Sequence, residues 1–386
     1  MIHLTGATVV LPDRVLAPGR ISIHHGHITE VEPCRPGDGR DLEGHFIVPG
    51  FIDVHVHGIA GTDALDGADA VARIAARLPP FGVTAFCPTS IACTPESLRE
   101  MLEAVRVARE TRPAGAARVL PAHLESNFIS GDFKGAQPEA CIRAPREARA
   151  GDFSGPDILD EIAAARSEVG IVTVAPEIEG VLDLIADLTQ HGHRVSLGHS
   201  GATYAQAREA IAAGARHATH LFNRMAPFGH REPGLVGAIL ESDLVAAEII
   251  CDGVHVHPAA VRAAVSAKGP AKIIAITDGT AGSGIPAGQT ARLGGRRITI
   301  SDAAYLDDGT LAGSVLTMDR AFAMLVKTMG FSMVEAAQMC STTPARELGL
   351  DGFGAIVRGG VADLVVLDAN LQVIETYIAG APSMGV

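Results

Sequence analysis

Two histidines separated by one residue lie at the end of an apolar segment that begins at Pro49 and reads PGFIDVHVHG. Side chains at positions i and i+2 of a strand point to the same side, so His55 and His57 can face one cation. A pattern this short also occurs as two ordinary polar residues at the end of a strand. The pair alone therefore leaves a metal site and a plain strand end as alternatives.

Other residues of the types that bind metals or carry protons occur in the same sequence context. Each directly follows an apolar segment, and they are Glu125, His199, His220 and Asp278. In a barrel of parallel strands the carboxyl ends of all the strands surround one axis. We therefore expect these side chains to meet in one pocket that offers imidazole and carboxylate ligands to a metal.

The elements that must position these residues follow a repeating pattern. From Phe51 onward, an apolar strand, a polar loop and an amphipathic helix repeat about eight times up to Asp278, which predicts a (β/α)8 barrel. The predicted strands are Phe51–Val56, Val83–Pro88, Arg118–Leu124, Ile171–Ala175, Arg194–Leu197, His217–Leu221, Val245–Ile250 and Lys272–Ile276. The predicted helices are Ala68–Arg77, Pro95–Arg109, Pro156–Ala165, Gly180–Gln190, Tyr204–Ala213 and Pro258–Ser266. Two long loops, Ser126–Pro156 and Asn223–Gly237, are expected to carry function.

The two ends of the chain have a different pattern. Short alternating segments at Ala7–Leu11, Arg20–His24 and Ile28–Glu32 predict strands, as do Asp363–Leu367 and Gln372–Ile378. Helices are predicted near Ser314–Met329 and Ser332–Cys340. We expect a small β-domain built from residues 1–48 and 346–386, with the barrel at residues 49–345 between them.

Composition restricts the class of protein. The chain has 386 residues, a formal charge of −13, 4% aromatic residues and no Trp, which disfavours nucleic-acid binding. Its six cysteines include Cys34 and form no C-x-x-C pair, so we expect free thiols in a reducing compartment. The N-terminus lacks the basic start and apolar stretch of a signal peptide, and no run of about 18 apolar residues occurs. These features predict a cytoplasmic protein that is not bound to a membrane.

A family resemblance appears once the motifs are read in order. They are PGFIDVHVHG, HLES, GHS, THLFNRM, REPGLVG, CDGVHVHP, ITDGT and LAGSVLTM. Together they resemble the N-acetylglucosamine-6-phosphate deacetylase family of the amidohydrolase superfamily over nearly the whole chain. The resemblance implies a TIM-like (β/α)8 barrel with a small β-sandwich formed by both termini. It also implies hydrolysis of an acetamide C–N bond, which converts N-acetylglucosamine 6-phosphate to glucosamine 6-phosphate and acetate.

The resemblance assigns roles to the strand-end residues. It implies that Glu125, His199 and His220 hold the principal divalent metal and that His55 and His57 add a second one, giving one or two ions per subunit. Zinc is the first expectation and iron the second, because imidazole and carboxylate ligands suit both. Asp278 would accept a proton from water activated by the metal and deliver it to the leaving amine. The alternative is that Asp278 is a turn or N-cap residue before Gly279.

The resemblance also implies a set of substrate-binding residues. They are Asn223, Arg224, Arg231, His255, Gln137 and Leu311. Arg231 would reach the sugar phosphate from the neighbouring subunit, which implies a homodimer. A solvated basic loop is the alternative for the cluster Arg224, His230 and Arg231, and a capping residue before Pro258 is the alternative for His255.

Two departures from the family pattern concern substrate specificity. The usual HLEGP is His123-Leu-Glu-Ser-Asn127 here, and the usual KGAH is Lys134-Gly-Ala-Gln137, in which an amide replaces an imidazole. The changed loops favour a second hypothesis, deacetylation of N-acetylgalactosamine 6-phosphate or another N-acyl amino compound. A barrel that has lost catalysis and survives as a binding protein is a third hypothesis, which the retained metal ligands disfavour.

Overall fold

The computed structural model describes residues 1–33 and 39–383, so Cys34 lies outside the described residues. At the N-terminus, five strands form the larger part of one sheet. They are β1 (Ile2–Val10), β2 (Val15–His24), β3 (His27–Pro33), β4 (Arg40–Asp41) and β5 (Phe46–Pro49). β1 lies in the middle, antiparallel to β2 and parallel to β5.

A nearly closed barrel of parallel strands follows, as the sequence predicted. Its first strand is β6 (Phe51–Val56). A small hairpin of β7 (Gly58–Ile59) and β8 (Thr62–Asp63) follows it. The other positions are β9 (Val83–Ser90), β10 (Arg118–Val119) with β11 (Ala122–Leu124), β12 (Val169–Val174), β13 (Arg194–Leu197), β14 (His217–Ala218), β15 (Ala246–Ile250) and β16 (Ile273–Ile276). A parallel bridge from Val56 to Gly279 brings the first strand to the end of the last.

Two of the predicted strands differ from the observed ones for local reasons. The predicted strand Arg118–Leu124 is divided between β10 and β11 at Leu120 and Pro121, because proline has no N–H for the ladder. The predicted strand His217–Leu221 ends at Ala218, because the backbone of His220 turns into the left-handed region at φ 28°. The break in β14 therefore coincides with a predicted metal ligand.

Helices cover the outside of the barrel. They are α1 (Ala70–Arg77), α2 (Pro95–Glu110), α3 (Gly155–Ala164), α4 (Val181–Gln190), α5 (Tyr204–Ala213), α6 (Gly234–Glu241) and α7 (Pro258–Lys268). At the start of α5, Thr203 accepts a hydrogen bond from the backbone of Gln206, whose side chain bonds back to Thr203. α6 was not predicted, and the expected loop Asn223–Gly237 ends earlier than its predicted limit. The sequence of α6, GLVGAILE, is apolar almost throughout and therefore has no amphipathic period.

Between α7 and the C-terminal strands lie a small sheet and three short helices. The sheet consists of β17 (Thr290–Leu293), β18 (Arg296–Ile300) and β19 (Ala304–Tyr305), and the sequence analysis missed it. The helices are α8 (Met318–Ala323), α9 (Met333–Ala337) and α10 (Thr343–Glu347). Wider π-helical turns at 324–328 and 338–342 extend α8 and α9, so the predicted continuous helices are interrupted.

The last strands complete the N-terminal sheet, as predicted. They are β20 (Leu364–Leu367), β21 (Val373–Ile378) and β22 (Ala381–Pro382). β20 pairs antiparallel with β5, with Leu364 opposite Pro49 and Leu367 opposite Phe46. Part of this sheet, including Leu364 and Val366, forms its own apolar core, while Val48 and Val365 pack into the core of the barrel. We propose that the domains divide after residues 48 and 345 on this basis.

Two features of the described residues bear on the compositional expectations. Cys87, Cys93, Cys141, Cys251 and Cys340 are all free thiols. Within residues 1–33 and 39–383, no helix is both long enough and apolar enough to cross a bilayer.

Candidate metal centre and active site

The predicted strand-end residues lie at the carboxyl end of the barrel. Glu125 directly follows β11, while His199, His220 and Asp278 each lie two residues beyond β13, β14 and β16. These last three adopt left-handed backbone angles, with φ of 47°, 28° and 50°, which non-glycine residues rarely do. Unusual backbone of this kind concentrates at functional sites.

Glu125, His199 and His220 form one compact buried group. Glu125 Oε1 lies 2.9 Å from Nε2 of His199 and 2.8 Å from Nε2 of His220. The two histidine nitrogens are 3.0 Å apart. The structure thus brings together the three residues that the sequence predicted as principal metal ligands.

His55 and His57 form a second group that shares Glu125. Their Nε2 atoms are 3.2 Å apart, and Nε2 of His57 lies 3.5 Å from Glu125 Oε2. Asp278 Oδ1 lies 3.3 Å from Nε2 of His55 and 3.2 Å from Nε2 of His57. The carboxylate of Glu125 therefore stands between the two histidine pairs. Oε1 faces His199 and His220 and lies 3.7 Å from Nε2 of His55, while Oε2 faces His57.

The position of the proton on each histidine ring decides which nitrogen is free to bind a metal. Nδ1 of His199 lies 2.8 Å from the Phe133 carbonyl, and Nδ1 of His57 lies 3.2 Å from the Thr89 carbonyl. A carbonyl only accepts, so each Nδ1 carries the proton and each Nε2 presents a lone pair. Lone pairs that face one another across about 3 Å repel unless a cation lies between them. Ligand atoms bound to one tetrahedral zinc at about 2.0 to 2.1 Å stand about 3.3 Å apart, so the residues fit a divalent ion.

The charges around the second group also favour a cation. Burial lowers the pKa of His55, but Asp278, Glu248 and Glu125 outweigh it and raise the value to about 9. Burial likewise opposes the protonated form of His57, yet hydrogen bonds with Asp278 and Glu125 raise its pKa to about 10. Without an ion, the carboxylates therefore favour a proton on Nε2 of each ring. A divalent ion bound there would supply the positive charge instead and would leave each Nε2 with its lone pair.

Asp278 shows no sign of the capping role that was its alternative. The backbone N–H of Gly279 donates to Thr277 Oγ1 at 3.0 Å, and that of Thr280 donates to the Ser314 carbonyl at 3.1 Å. The Asp278 carboxylate instead faces His55 and His57. Its pKa is lowered because these histidines outweigh the effect of burial, which acts in the opposite direction.

A cavity of about 520 Å³ opens above this group. It is lined by ten of the predicted site residues: His57, Glu125, Gln137, His199, His220, Asn223, Arg224, His255, Asp278 and Leu311. His55 is fully buried beneath them. Arg231 is exposed on the segment before α6 and does not line the cavity of this single chain.

Gln137 and the altered strand-three loop have defined positions. Gln137 donates from Nε2 to Glu125 Oε2 and accepts at Oε1 from the Ala92 backbone at 2.7 Å. Asn127 donates to the carbonyls of Cys93 and Cys141, each at 2.7 Å. The departure at residue 137 therefore touches a candidate metal ligand, whereas Asn127 holds the loop.

Arg224 and His255, two of the predicted substrate-binding residues, also line the cavity. Arg224 packs against Gly135, where a Cβ would lie 2.5 Å from the guanidinium Nε, and both residues have positive φ. His255 Nδ1 lies 2.6 Å from Asp252 Oδ2, and this contact raises the pKa of His255 against the lowering effect of burial. His255 therefore points a positively polarised ring into the cavity, rather than capping α7, which His257 does.

Sequence reasoning missed two contributors to this site. Leu293 at the end of β17 lines the cavity together with Leu311, so the unpredicted small sheet forms one wall. Glu248 on β15 is fully buried, and its Oε2 lies 2.9 Å from Nδ1 of His55. Its signal in the sequence was a single acid inside an otherwise apolar strand, AAEII.

Comparisons with known proteins agree with this geometry. The sequence profile of the Amidohydrolase family matches residues 46–386. The chain is similar to N-acetylglucosamine-6-phosphate deacetylase of Bacillus subtilis, with 35% identity over 96% of this chain and 94% of the relative. It is also similar to N-acetylgalactosamine-6-phosphate deacetylase of Escherichia coli O157:H7, with 35% identity over 98% of this chain and 99% of the relative.

Among solved structures, the chain resembles a mutant N-acetyl-D-glucosamine-6-phosphate deacetylase of Mycobacterium smegmatis in complex with N-acetyl-D-glucosamine 6-phosphate. The TM-score is 0.89 at 33% identity, covering 100% of this chain and 99% of that one.

Proposed function

The chain belongs to the amidohydrolase family, and we propose that it hydrolyses the acetamide of N-acetylglucosamine 6-phosphate to glucosamine 6-phosphate and acetate. The observation that carries the proposal is the Glu125 carboxylate, which stands between two pairs of imidazole nitrogens at the floor of the cavity. Near full-length similarity to several deacetylases of this substrate supports it.

The metal belongs to this proposal. Glu125, His199 and His220 would hold the principal ion, and His55 and His57 would hold a second one beside Glu125. We propose zinc, with iron as the second choice, and one or two ions per subunit. A divalent ion bound there supplies Lewis-acid chemistry, polarising a carbonyl oxygen and lowering the pKa of water from about 15.7 to about 7.

Asp278 is the proton carrier in this mechanism. Its carboxylate faces both His55 and His57, and the lowered pKa keeps it ionised, so its oxygens are free to receive a proton. It takes the proton from the attacking water and passes it to the amine of the departing sugar. One group thus acts first as base and then as acid.

The cavity wall positions the sugar phosphate. Arg224 and Asn223 would bind the phosphate end, His255 and Gln137 would contact the polar groups of the sugar, and Leu311 would pack against it. Arg231 would come from the second subunit of a homodimer, which explains why it is exposed in one chain. The guanidinium fork suits two oxygens of a phosphate.

A second candidate substrate is the galactosamine epimer. The similarity to an N-acetylgalactosamine-6-phosphate deacetylase and the amide at Gln137 both favour it. We also propose a cytoplasmic location, which the buried free thiols of Cys87, Cys251 and Cys340 support.

Acetate release from the two phosphorylated sugars, measured on enzyme of known metal content, tests the proposal. We expect kcat/KM to be higher for the glucosamine derivative and to fall when the phosphate is absent. A preference for the galactosamine derivative would select the second candidate. Absence of acetate release from either sugar after zinc or iron is added would refute the deacetylase function.

A further inference from the structure

Glu248 lies below the candidate metal centre, where its carboxylate is completely buried in the barrel. Its two oxygens contact different strands: Oε2 lies 2.9 Å from Nδ1 of His55 on β6, and Oε1 lies 2.9 Å from Nε2 of His217 on β14. The backbone N–H of His220 also donates to Oε2, at 3.2 Å. A buried carboxylate is costly unless it is fully hydrogen bonded, so these contacts account for its place in the core.

These contacts determine how His55 presents itself to the cavity. An ionised carboxylate only accepts hydrogen bonds, so Nδ1 of His55 carries the proton and Nε2 presents its lone pair toward His57 and Glu125. Loss of the carboxylate would let the ring take the other tautomer, in which Nε2 carries the proton and cannot bind a metal. The fixed tautomer therefore depends on Glu248.

His55 differs from its two neighbouring ligands in the nature of this partner. Nδ1 of His57 and Nδ1 of His199 face neutral backbone carbonyls, those of Thr89 and Phe133. An ionised carboxylate attracts the Nδ1 proton more strongly than a neutral carbonyl does, and loss of a partner that orients a metal-binding histidine typically costs about 10- to 100-fold in metal affinity. Among these three ligands, His55 is thus the one whose metal-binding strength depends on a side chain.

We propose that Glu248 is a positioning residue that fixes the tautomer of His55 and so sets the affinity of the ion held by His55, His57 and Glu125. This inference rests on the proposed metal centre. The ion held by Glu125, His199 and His220 depends on Glu248 less, because only the backbone of His220 touches it. Glu248 therefore controls how many ions each subunit holds.

Metal binding by Glu248→Gln tests the inference directly. Apo-protein is titrated with Co²⁺ and followed by visible absorption, and bound metal is counted after dialysis. We expect the wild type to bind two ions and Glu248→Gln to bind the first normally and the second about 10- to 100-fold more weakly.

His217→Gln is the matched control, because it alters the contact on the other oxygen of Glu248 and leaves His55 untouched. A merely structural role for Glu248 would lower thermal stability in both variants and leave the second affinity equal in both. The positioning role weakens the second ion in Glu248→Gln alone.

The outcomes separate this inference from the proposed function. A wild type that binds no divalent ion would refute the metal centre itself. A wild type with two ions and a Glu248→Gln variant with unchanged second affinity would overturn only the role of Glu248. If Glu248→Gln does not fold, Glu248→Asp decides instead, because it keeps the charge but withdraws it from His55. We expect a weakened second ion in that variant, and wild-type affinity would overturn the inference.

Discussion

Replacement of Asp278 by asparagine separates proton transfer from metal binding and from folding. Asparagine has nearly the same shape and tolerates the left-handed backbone at this position, where φ is 50°. The backbone bonds that hold the turn, from Asp278 N to the His55 carbonyl at 3.0 Å and from Ser314 N to the Asp278 carbonyl at 2.8 Å, do not involve the side chain. The variant should therefore fold normally and keep its principal metal ligands.

The amide cannot accept and return a proton, so only the chemical step should slow. A positioned general acid or base contributes about 10²- to 10⁴-fold to the rate, which corresponds to about 2.7 to 5.5 kcal/mol of activation free energy. We expect kcat for Asp278→Asn to fall by that factor while KM changes by less than about threefold, because the group acts in the transition state.

The assay is acetate release at saturating N-acetylglucosamine 6-phosphate, with bound metal quantified in the same preparation. Asp132→Asn provides the control, because Asp132 is an exposed carboxylate on the wall of the same cavity. Its removal should change kcat by less than about threefold, since Asp278 alone is proposed to transfer the proton. An Asp278→Asn enzyme that retains more than about a tenth of wild-type kcat would remove Asp278 from the mechanism.

Three further predictions concern the metal, the substrate and the fold. Glu125→Gln should weaken both ions at once, since Glu125 faces both histidine pairs, and metal counting after dialysis would contradict this if only one ion were lost. Gly135→Ala should raise KM for the phosphorylated sugar about tenfold with little change in kcat. The new Cβ would lie 2.5 Å from Arg224 Nε and displace it, and a side chain at φ of +57° costs about 1 to 2 kcal/mol. An unchanged KM would show that Arg224 does not bind the substrate. Asp363→Ala should lower the free energy of unfolding by about 1 to 3 kcal/mol without changing kcat, since it breaks the paired contact of Arg118 on the barrel with the terminal sheet, at 2.9 and 3.1 Å. Urea denaturation checks this last effect, and an unchanged unfolding midpoint would show that the contact contributes nothing.

The sequence predicted the barrel because most strands covered on both sides are apolar along their length, as β16 is. It also predicted which residues meet at the floor of the cavity, since strand ends are defined by the same pattern. It did not predict α6 or the sheet of β17 to β19. Uniform apolarity hides the helical period of α6, and short strands around Gly294 and Gly295 carry too few residues to show alternation.

Glu248 illustrates a different limit of sequence reasoning. An acid in a buried strand is a visible anomaly, but its meaning depends on partners 193 and 31 residues away along the chain, at His55 and His217. The pattern of one strand gives no information about which histidine faces it. The register between β14 and β15, in which His217 lies opposite Ala246, brings His217 near Glu248, whereas the contact with His55 arises only when the barrel places β6 near β15.

The backbone at the strand ends connects stability with catalysis. Left-handed conformation costs an L-residue about 1 to 2 kcal/mol, and His199, His220 and Asp278 all adopt it beside the cavity. Each turn is held by backbone hydrogen bonds to other strand ends or loops: Ser200 N donates to the Arg224 carbonyl, and Leu221 N donates to the Glu248 carbonyl. The barrel thus supplies the energy that holds the ligands in place before any ion or substrate arrives. Because the ligands are fixed in advance, little binding energy is spent on arranging them, and more remains for the transition state.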